Sequence, residues 1–185
     1  MTLTQPVPFE VIRVRYIIGT MSLNCAWGEA CRADLHVATP NSNAWPAANL
    51  GLFLPVFIYE RVTVYEAYTA TGTLTGGNLD IGIFSTGGTK LASTGSTARA
   101  AASSWQTVGM TDYVWEPGEY YIGMVADDTS NYLAHAPTAG KAQAVGMVED
   151  ASAWTAGFDS SVTYVTSTRA FVPHFGFVCR STTLA

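Results

Sequence analysis

The sequence predicts an all-β protein, an antiparallel β-sandwich of the jelly-roll type with an N-terminal arm. Short segments are either continuously apolar or alternate between apolar and polar residues, which is the period of a strand. Gly and Pro turn signals recur about every ten residues, as in sandwiches and jelly rolls. Thr is abundant and aromatic residues reach 12%, and both favour pleated, half-buried surfaces.

A chain of 185 residues is long enough for one large domain, or for one domain with an appendage. Residues 1–49 differ in character from the rest and predict an N-terminal arm with its first strands. They hold an apolar stretch, residues 11–21, and a turn-rich tract, residues 39–43. We expect this arm to pack on the main domain or on a neighbouring subunit. Residues 50–185 are the predicted β-sandwich domain.

The strands of this domain are predicted from apolar periodicity. Residues 52–59 form a continuous apolar run, which is typical of a fully buried strand. In residues 78–83, Leu79, Ile81 and Ile83 share one face. Further strands are predicted at residues 61–68, 89–92, 105–111, 120–126, 132–136, 145–148 and 171–179.

Two turns have a clear chemistry. Gly87-Gly88 separates two strand-like runs and predicts a tight hairpin, because glycine tolerates positive φ. Glu116-Pro117-Gly118-Glu119 predicts a type I or type II turn with Pro at its second position.

The low charge of the chain is a second informative feature. Charged residues make up 12%, against about 25% in ordinary globular domains. Surfaces that are poor in charge suit subunit contacts, because little charge must be desolvated on burial. The net charge is −5 and the seven Arg are dispersed, so a basic patch for nucleic acid is not expected.

Cysteine usage and hydropathy predict a protein that is made in the cytosol and not inserted in a membrane. Cys25, Cys31 and Cys179 lack the spacing of a zinc site or a disulfide framework. We expect free thiols, with a Cys25–Cys31 bridge left open as the alternative. The N-terminus has no signal-peptide pattern, and the longest apolar run, residues 50–59, is too short to span a bilayer.

No combination of residues predicts catalysis. His36, His135 and His174 lie in separate segments without metal-binding spacing, and no nucleophile elbow occurs. Asp127-Asp128 and Glu149-Asp150 are neighbours along the chain, so their side chains point to opposite faces and read as solvated turn residues. We therefore expect no enzyme, no catalytic residues, no cofactor and no metal.

A calcium site is weighed at one loop and rejected. Asp127, Asp128 and Asn131 supply oxygen atoms of the kind that Ca²⁺ prefers. The loop lacks the full ligand spacing of a calcium site, so the prediction is a solvated turn.

Aromatic residues in or near predicted loops are the remaining site candidates. A loop aromatic can anchor a subunit contact, stack on a sugar ring or cap the open end of a sandwich core. These three alternatives stay open for each of the candidates Trp27, Trp45, Trp115, Tyr132 and Trp154.

The central part of the chain resembles a known family. The segments concerned are residues 44–49 (AWPAAN), 52–56 (LFLPV), 78–84 (NLDIGIF), 88–96 (GTKLASTGS) and 116–122 (EPGEYYI). Over residues 44–135 the chain resembles β-sandwich domains of tailed-bacteriophage virion proteins of the tail, fibre or head-decoration type. The same order of strands and turns occurs in carbohydrate-binding modules. The resemblance implies no catalytic residues.

These features predict a structural component of a tailed-phage virion, made in the host cytoplasm and placed on the capsid or the tail. It would act through contacts with other virion proteins and with copies of itself, a trimer being one candidate assembly. The alternative function is a carbohydrate-binding module or host-receptor-binding domain that binds a host surface glycan. An enzyme is the third hypothesis, and it requires a polar cleft with convergent titratable groups.

Overall fold

A computed structural model describes residues 15–19, 41–73, 76–100, 102, 104–135, 146–169 and 171–181. Regular structure in these residues is β-strand throughout, and they contain no helix that is long and apolar enough to cross a membrane. The strands are β1 (Arg15–Gly19), β2 (Asn41–Ala44), β3 (Gly51–Ile58), β4 (Val62–Ala70), β5 (Asn78–Ser85), β6 (Lys90–Ser93), β7 (Thr97–Ala98), β8 (Trp105–Trp115), β9 (Gly118–Ala126), β10 (Asn131–His135), β11 (Val148–Asp150), β12 (Val165–Thr166), β13 (Val172–Pro173) and β14 (Phe175–Ser181).

The strands form three sheets. A four-stranded sheet has the order β1-β14-β4-β8, and a seven-stranded sheet has the order β12-β11-β3-β9-β5-β6, with β7 paired to β5. A small sheet has the order β13-β10-β2. All pairings between these strands are antiparallel. The predicted all-β class with antiparallel sheets is confirmed.

The pairing of the long strands is nested. The first strand pairs with the last (β1 with β14), and inside that pair lie β3 with β9, β4 with β8 and β5 with β6. Within this set, strands that follow one another along the chain mostly alternate between the two larger sheets. Most strand partners are therefore remote in sequence.

The two larger sheets share one apolar core, an arrangement consistent with a β-sandwich. Leu79, Ile81 and Ile83 enter it from β5 on one face, as the alternation predicts. Phe175 and Phe177 enter it from β14 in the opposite sheet. The core also holds β3, β4 and β9 side chains, so both sheets depend on the same buried surface.

A second cluster, the outer core, covers the other face of the seven-stranded sheet. It consists of Phe53, Phe84, Val125, Ala153, Phe158 and Val162. Ala153, Phe158 and Val162 belong to the covering segment, which we define as residues 151–164. The rings of Phe84 and Phe158 meet edge-to-face with centroids 4.8 Å apart. Strand β5 is thus buried on both faces, which its alternating pattern does not reveal.

The prediction of a fully buried strand at residues 52–59 is wrong for its second half. Pro55 and Phe57 are exposed, although Gly51–Leu54 are buried. Pro55 and Phe57 project to the same face as Phe53, but the outer core that covers this face stops at Phe53. The neighbouring strand β11 also stops here, because it pairs only with residues 51–53 of β3. Beyond Phe53, β3 is an edge strand on that side, which is where a strand tolerates proline.

The predicted hairpin is present, because β5 and β6 pair across Gly87-Gly88. Positive φ is found at Gly88, with a φ of 87°, but not at Gly87. The Gly88 N–H donates to the Ser85 carbonyl at 3.0 Å. Pro117-Gly118 joins β8 to β9, and these strands lie in different sheets. This turn therefore carries the chain from one sheet to the other.

Parts of the predicted N-terminal arm pair with the main domain. Strand β1 pairs with β14, and β2 pairs with β10. Residues 1–14 and 20–40 lie outside the described residues, and with them Cys25, Trp27 and Cys31. Cys179 is a buried free thiol on β14.

Candidate functional site

Two of the predicted contact residues belong to the core. Trp45 is 1% exposed, donates from Nε1 to the Leu50 carbonyl at 3.0 Å, and meets the Phe171 ring edge-on. Trp115 is 0% exposed and packs edge-on against Tyr120 and Phe177. Neither ring can reach a partner or a sugar in this structure. Of the three alternatives for these two residues, the core role is the one that their burial fits.

The other three candidates do not form a site with them. Trp154 is half-buried and packs on the outer core, at the base of the covering segment. The backbone of Tyr132 pairs with Asn43 in the small sheet. Trp27 lies outside the described residues.

The Asp127-Asp128 carboxylates stabilise their own loop. Asp127 accepts hydrogen bonds from the backbone N–H and the side-chain amide of Asn78, at 2.7 and 2.8 Å. Asp128 accepts from the backbone N–H of Ser130 at 2.9 Å and from its hydroxyl at 2.6 Å. No group of three His, Cys, Asp or Glu in the described part of the chain is arranged to hold a metal ion.

The Glu149-Asp150 carboxylates also have structural partners. Glu149 accepts from the Ser167 hydroxyl at 2.6 Å and from Arg169 Nε at 2.9 Å, which ties β11 to the segment after β12. Asp150 accepts from the Thr163 backbone N–H at 2.6 Å. Both carboxylates thus have hydrogen-bond partners within the fold, whereas the sequence analysis predicted solvated turn residues.

Asp80 is the fully buried carboxylate of β5. It accepts hydrogen bonds from the hydroxyls of Ser93 and Thr94, at 3.1 and 2.9 Å, and from the Phe158 backbone N–H at 2.8 Å. Three donors compensate the burial of this charge. Asp80 thereby fastens the covering segment to the sheet.

An open surface depression of about 400 Å³ is lined mainly by apolar and aromatic residues. It lies where β3 becomes an edge strand. The residues that line it are Pro55, Val56, Phe57, Thr86, Glu119, Tyr120 and Tyr121. We call these seven residues together with Tyr59 the aromatic edge site.

The sheet register places an aromatic ring next to a carboxylate in this site. Phe57 on β3 is directly opposite Glu119 on β9, and Pro55 is directly opposite Tyr121. Directly opposed residues project to the same face of a sheet, with Cβ atoms about 5 Å apart. The two strands thus present apolar and acidic groups side by side.

Tyr59 extends the aromatic surface of the site. It is 80% exposed, and its ring lies 4.7 Å from the ring of Phe57, which is 49% exposed. The two neighbouring rings form a small exposed apolar surface that a ligand or partner could cover. The sequence interpretation missed both, because it treated residues 52–59 as one buried run. Pro55 lies within that run and could have indicated an edge strand, because proline is tolerated there.

The far wall of the site is held by Tyr164 of the covering segment. Its ring packs against Tyr121 with centroids 4.4 Å apart, and its hydroxyl donates to the Ser85 carbonyl at 3.1 Å. Burial, followed by the neighbouring Tyr121, raises the pKa of Tyr164 well above 10. The hydroxyl therefore stays protonated and keeps this hydrogen bond at physiological pH.

Comparison with known proteins adds no relative. No protein-family model, no curated protein and no solved structure matches this chain.

Proposed function

We propose that this chain is a structural component of a tailed-phage virion, a capsid-decoration or tail/fibre protein with a jelly-roll fold. The nested pairing of its strands is the observation that carries the proposal. In a jelly roll the first strand pairs with the last, the second with the last but one, and so on, because one long hairpin is folded over into two sheets. Viral capsid domains are a major group that uses this architecture.

The surface of the four-stranded sheet supports a role in subunit contacts. Strand β8 lies at its edge and has one charged residue, Asp112, among eleven. Trp105 and Val114 on this strand are 54% and 40% exposed. An edge strand of a monomeric protein usually carries more charge, which blocks pairing with another chain. This edge suits contact with a copy of the chain or with another virion protein.

The N-terminal residues act as an arm in this proposal. Strand β1 lies at the other edge of the four-stranded sheet, and β2 lies at an edge of the small sheet. We propose that the N-terminal arm, residues 1–49, contacts a neighbouring subunit, and that these two strands anchor it to the main domain. A trimer is one candidate for the assembly.

The use of carboxylates supports a non-enzymatic role. Asp80, Asp127, Asp128, Glu149 and Asp150 each accept hydrogen bonds that hold loops or strands together. General acid-base catalysis needs a carboxylate that is poised toward a substrate and paired with a second group. These five carboxylates instead form structural hydrogen bonds.

Quantitative mass spectrometry of purified virions tests the proposal. We expect the chain in a fixed copy number per particle, and we expect the isolated chain to run as an oligomer in native mass spectrometry. Gold-labelled antibodies against the chain then locate it on head or tail by electron microscopy. Its absence from washed particles contradicts the proposal.

A further inference from the structure

We propose that the aromatic edge site binds a neutral sugar ring, with Phe57 stacked on the C–H face of the sugar and Glu119 accepting hydrogen bonds from two adjacent hydroxyl groups. This inference adds a ligand site to the proposed virion role and does not depend on it. Four properties of the site support sugar binding: its shape, its aromatic surface, its free carboxylate and its charge.

The shape of the site suits a small ligand. Its volume of about 400 Å³ lies in the range of about 300–1,000 Å³ that small-molecule sites occupy. The site is an open depression at the edge of a sheet, so a terminal sugar of a larger glycan can enter from solvent. Pro55 and the Tyr164-supported Tyr121 stiffen its floor before a ligand arrives, which lowers the entropy lost on binding.

The aromatic surface supplies the apolar half of the recognition. A sugar ring has one face of C–H groups and an equator of hydroxyls, so it pairs with an aromatic ring beside a hydrogen-bonding group. Phe57 offers that ring, and Tyr59 supports it at 4.7 Å. A stacked sugar removes part of both exposed rings from water, which is favourable.

Glu119 supplies the polar half. Its side chain is exposed, and its carboxylate has no hydrogen-bond or ion-pair partner among the described residues. Glu116, in contrast, pairs with Arg61 at 3.0 Å. A carboxylate is an acceptor at both oxygens, and bonds from hydroxyls to an ionised acceptor are shorter and stronger than neutral ones. Two adjacent sugar hydroxyls match this pair of acceptors.

The charge of the site favours a neutral sugar. Glu119 is its one charged residue, and no Lys, Arg or His lines the depression. A carboxylated sugar would place its anion beside Glu119 without a counter-ion, which costs binding free energy. The single carboxylate also favours binding over cleavage, because glycosidases use two carboxyl groups across the scissile bond.

Titration of the full chain with single sugars tests the inference. Glucose, galactose, mannose, lactose and maltose serve as neutral probes, and glucuronic acid and N-acetylneuraminic acid serve as anionic probes. Two-dimensional NMR of the ¹⁵N-labelled chain follows each titration. We expect saturable shifts at Phe57, Glu119 and Tyr121 for at least one neutral sugar, and an affinity about tenfold weaker or worse for both acids.

Three variants and a matched control connect the binding to the site. Glu119→Gln keeps the side-chain shape, and we expect it to weaken the best sugar about tenfold. Phe57→Ala and Tyr59→Ala should weaken it as well. Val165→Ala removes another exposed apolar side chain, which does not line the site, and should leave the affinity unchanged.

Thermal unfolding of each variant establishes whether it is folded. If Phe57→Ala is not folded, Glu119→Gln and Tyr59→Ala test the contribution of the site to binding. No saturable shift with any sugar overturns the inference, and so does tighter binding of an anionic sugar. Binding that survives both Glu119→Gln and Tyr59→Ala also overturns it. None of these results bears on the presence of the chain in virions, which the particle analysis decides separately.

Discussion

Gly123 lies directly beneath the ring of Phe53 in the outer core. A Cβ at this position would lie 2.5 Å from the Phe53 ring and 3.1 Å from the Phe158 ring. Both rings are buried and packed against Phe84, so they have little room to move. The glycine is present because the backbone of β9 approaches the aromatic side chains too closely for a methyl group.

We expect Gly123→Ala to lower the free energy of unfolding by about 1–3 kcal/mol, because overpacking forces the rings from their rotamers. Urea denaturation at neutral pH measures this. Gly109→Ala in β8 is the control, because no atom lies within 4 Å of its added Cβ. It should be neutral or slightly stabilising. Equal effects of the two substitutions would contradict the packing argument.

Asp80 provides a second prediction for a single residue. Asp80→Asn replaces one acceptor by an amide donor that faces the hydroxyl and N–H donors of Ser93, Thr94 and Phe158. We expect a loss of about 1–3 kcal/mol in the free energy of unfolding, the cost of a buried polar group without its partner.

Asp112→Asn is the matched control for Asp80→Asn. Asp112 forms an exposed ion pair with Arg180, and such pairs contribute about 0–1 kcal/mol. Urea denaturation of both variants gives the comparison. A loss at Asp112 as large as that at Asp80 would show that burial is not the cause.

The burial of two tryptophans could not be predicted from the sequence. Trp45 and Trp115 look like loop aromatics in the sequence, because Pro46 and Pro117 follow them closely. Their burial depends on strands far away in the chain, such as β14, which brings Phe177 against Trp115. Turn chemistry is local and was predictable, whereas the packing of a residue beside a turn was not.

At the scale of elements, the covering segment is attached to the β5–β6 hairpin. The Val162 N–H donates to the Gly88 carbonyl at 2.9 Å, and the Lys90 N–H donates to the Ser160 carbonyl at 2.9 Å. A Cβ at Gly88 would overlap the Val162 carbonyl oxygen, and its φ of 87° disfavours other residues. The hairpin and the covering segment therefore fit together only with glycine at this position.

We expect Gly88→Ala to lower the free energy of unfolding by about 2 kcal/mol or more, from the strained φ and the overlap together. Hydrogen exchange should show lost protection at the Val162 and Lys90 amides before other strands are affected. Gly87→Ala is the control, since the nearest atom to its added Cβ is 3.8 Å away. If the two variants exchange alike, the hairpin does not hold the covering segment.

The strands themselves were largely predictable, and their partners were not. Residues 78–83 and 120–126 fall within β5 and β9, because alternation and flanking turns are local signals. Alternation assigns side chains to a face but does not say what covers that face. The outer core was missed for this reason, since residues 151–164 have no strand period. The aromatic edge site was missed because the short length of β11 decides where β3 becomes an edge.

At the scale of the whole molecule, stability should fall in alkaline solution. Burial raises the pKa of the Cys179 thiol from 9.0 to about 12. Above pH 9 the unfolded chain releases this proton while the folded chain keeps it, so ionisation favours unfolding. The contribution is fully present below pH 9 and is lost as the pH rises toward 12. The slope from one such group is at most about 1.4 kcal/mol per pH unit.

Urea denaturation between pH 8 and 11 in reducing buffer measures this dependence. We expect Cys179→Ala to be less stable at pH 8, because it leaves a small cavity, but to lose stability less steeply with pH. The two curves should converge as the pH rises. Parallel curves would contradict the assigned ionisation of Cys179.

The resemblance to tailed-phage proteins concerns residues 44–135 and stays a prediction. The all-β class and the antiparallel pairing are established for the described residues. Local periodicity predicts the strands, whereas the pairing joins segments that are remote in sequence. A role in an assembly depends on the exposed residues, and the periodicity that predicts strands says little about what those residues contact. Particle analysis and sugar titration address the two surfaces separately.

The position of β14 has a consequence for synthesis in the cell. This strand lies inside the four-stranded sheet, between β1 and β4, yet it is the last of the described strands along the chain. The ribosome must therefore have synthesised the chain through residue 181 before that sheet can be completed. Until then the edge of β4 that pairs with β14 has no strand partner and is open to pairing with other nascent chains. Such long-range pairing folds slowly, so chaperones that shield exposed strands should raise the yield of native protein.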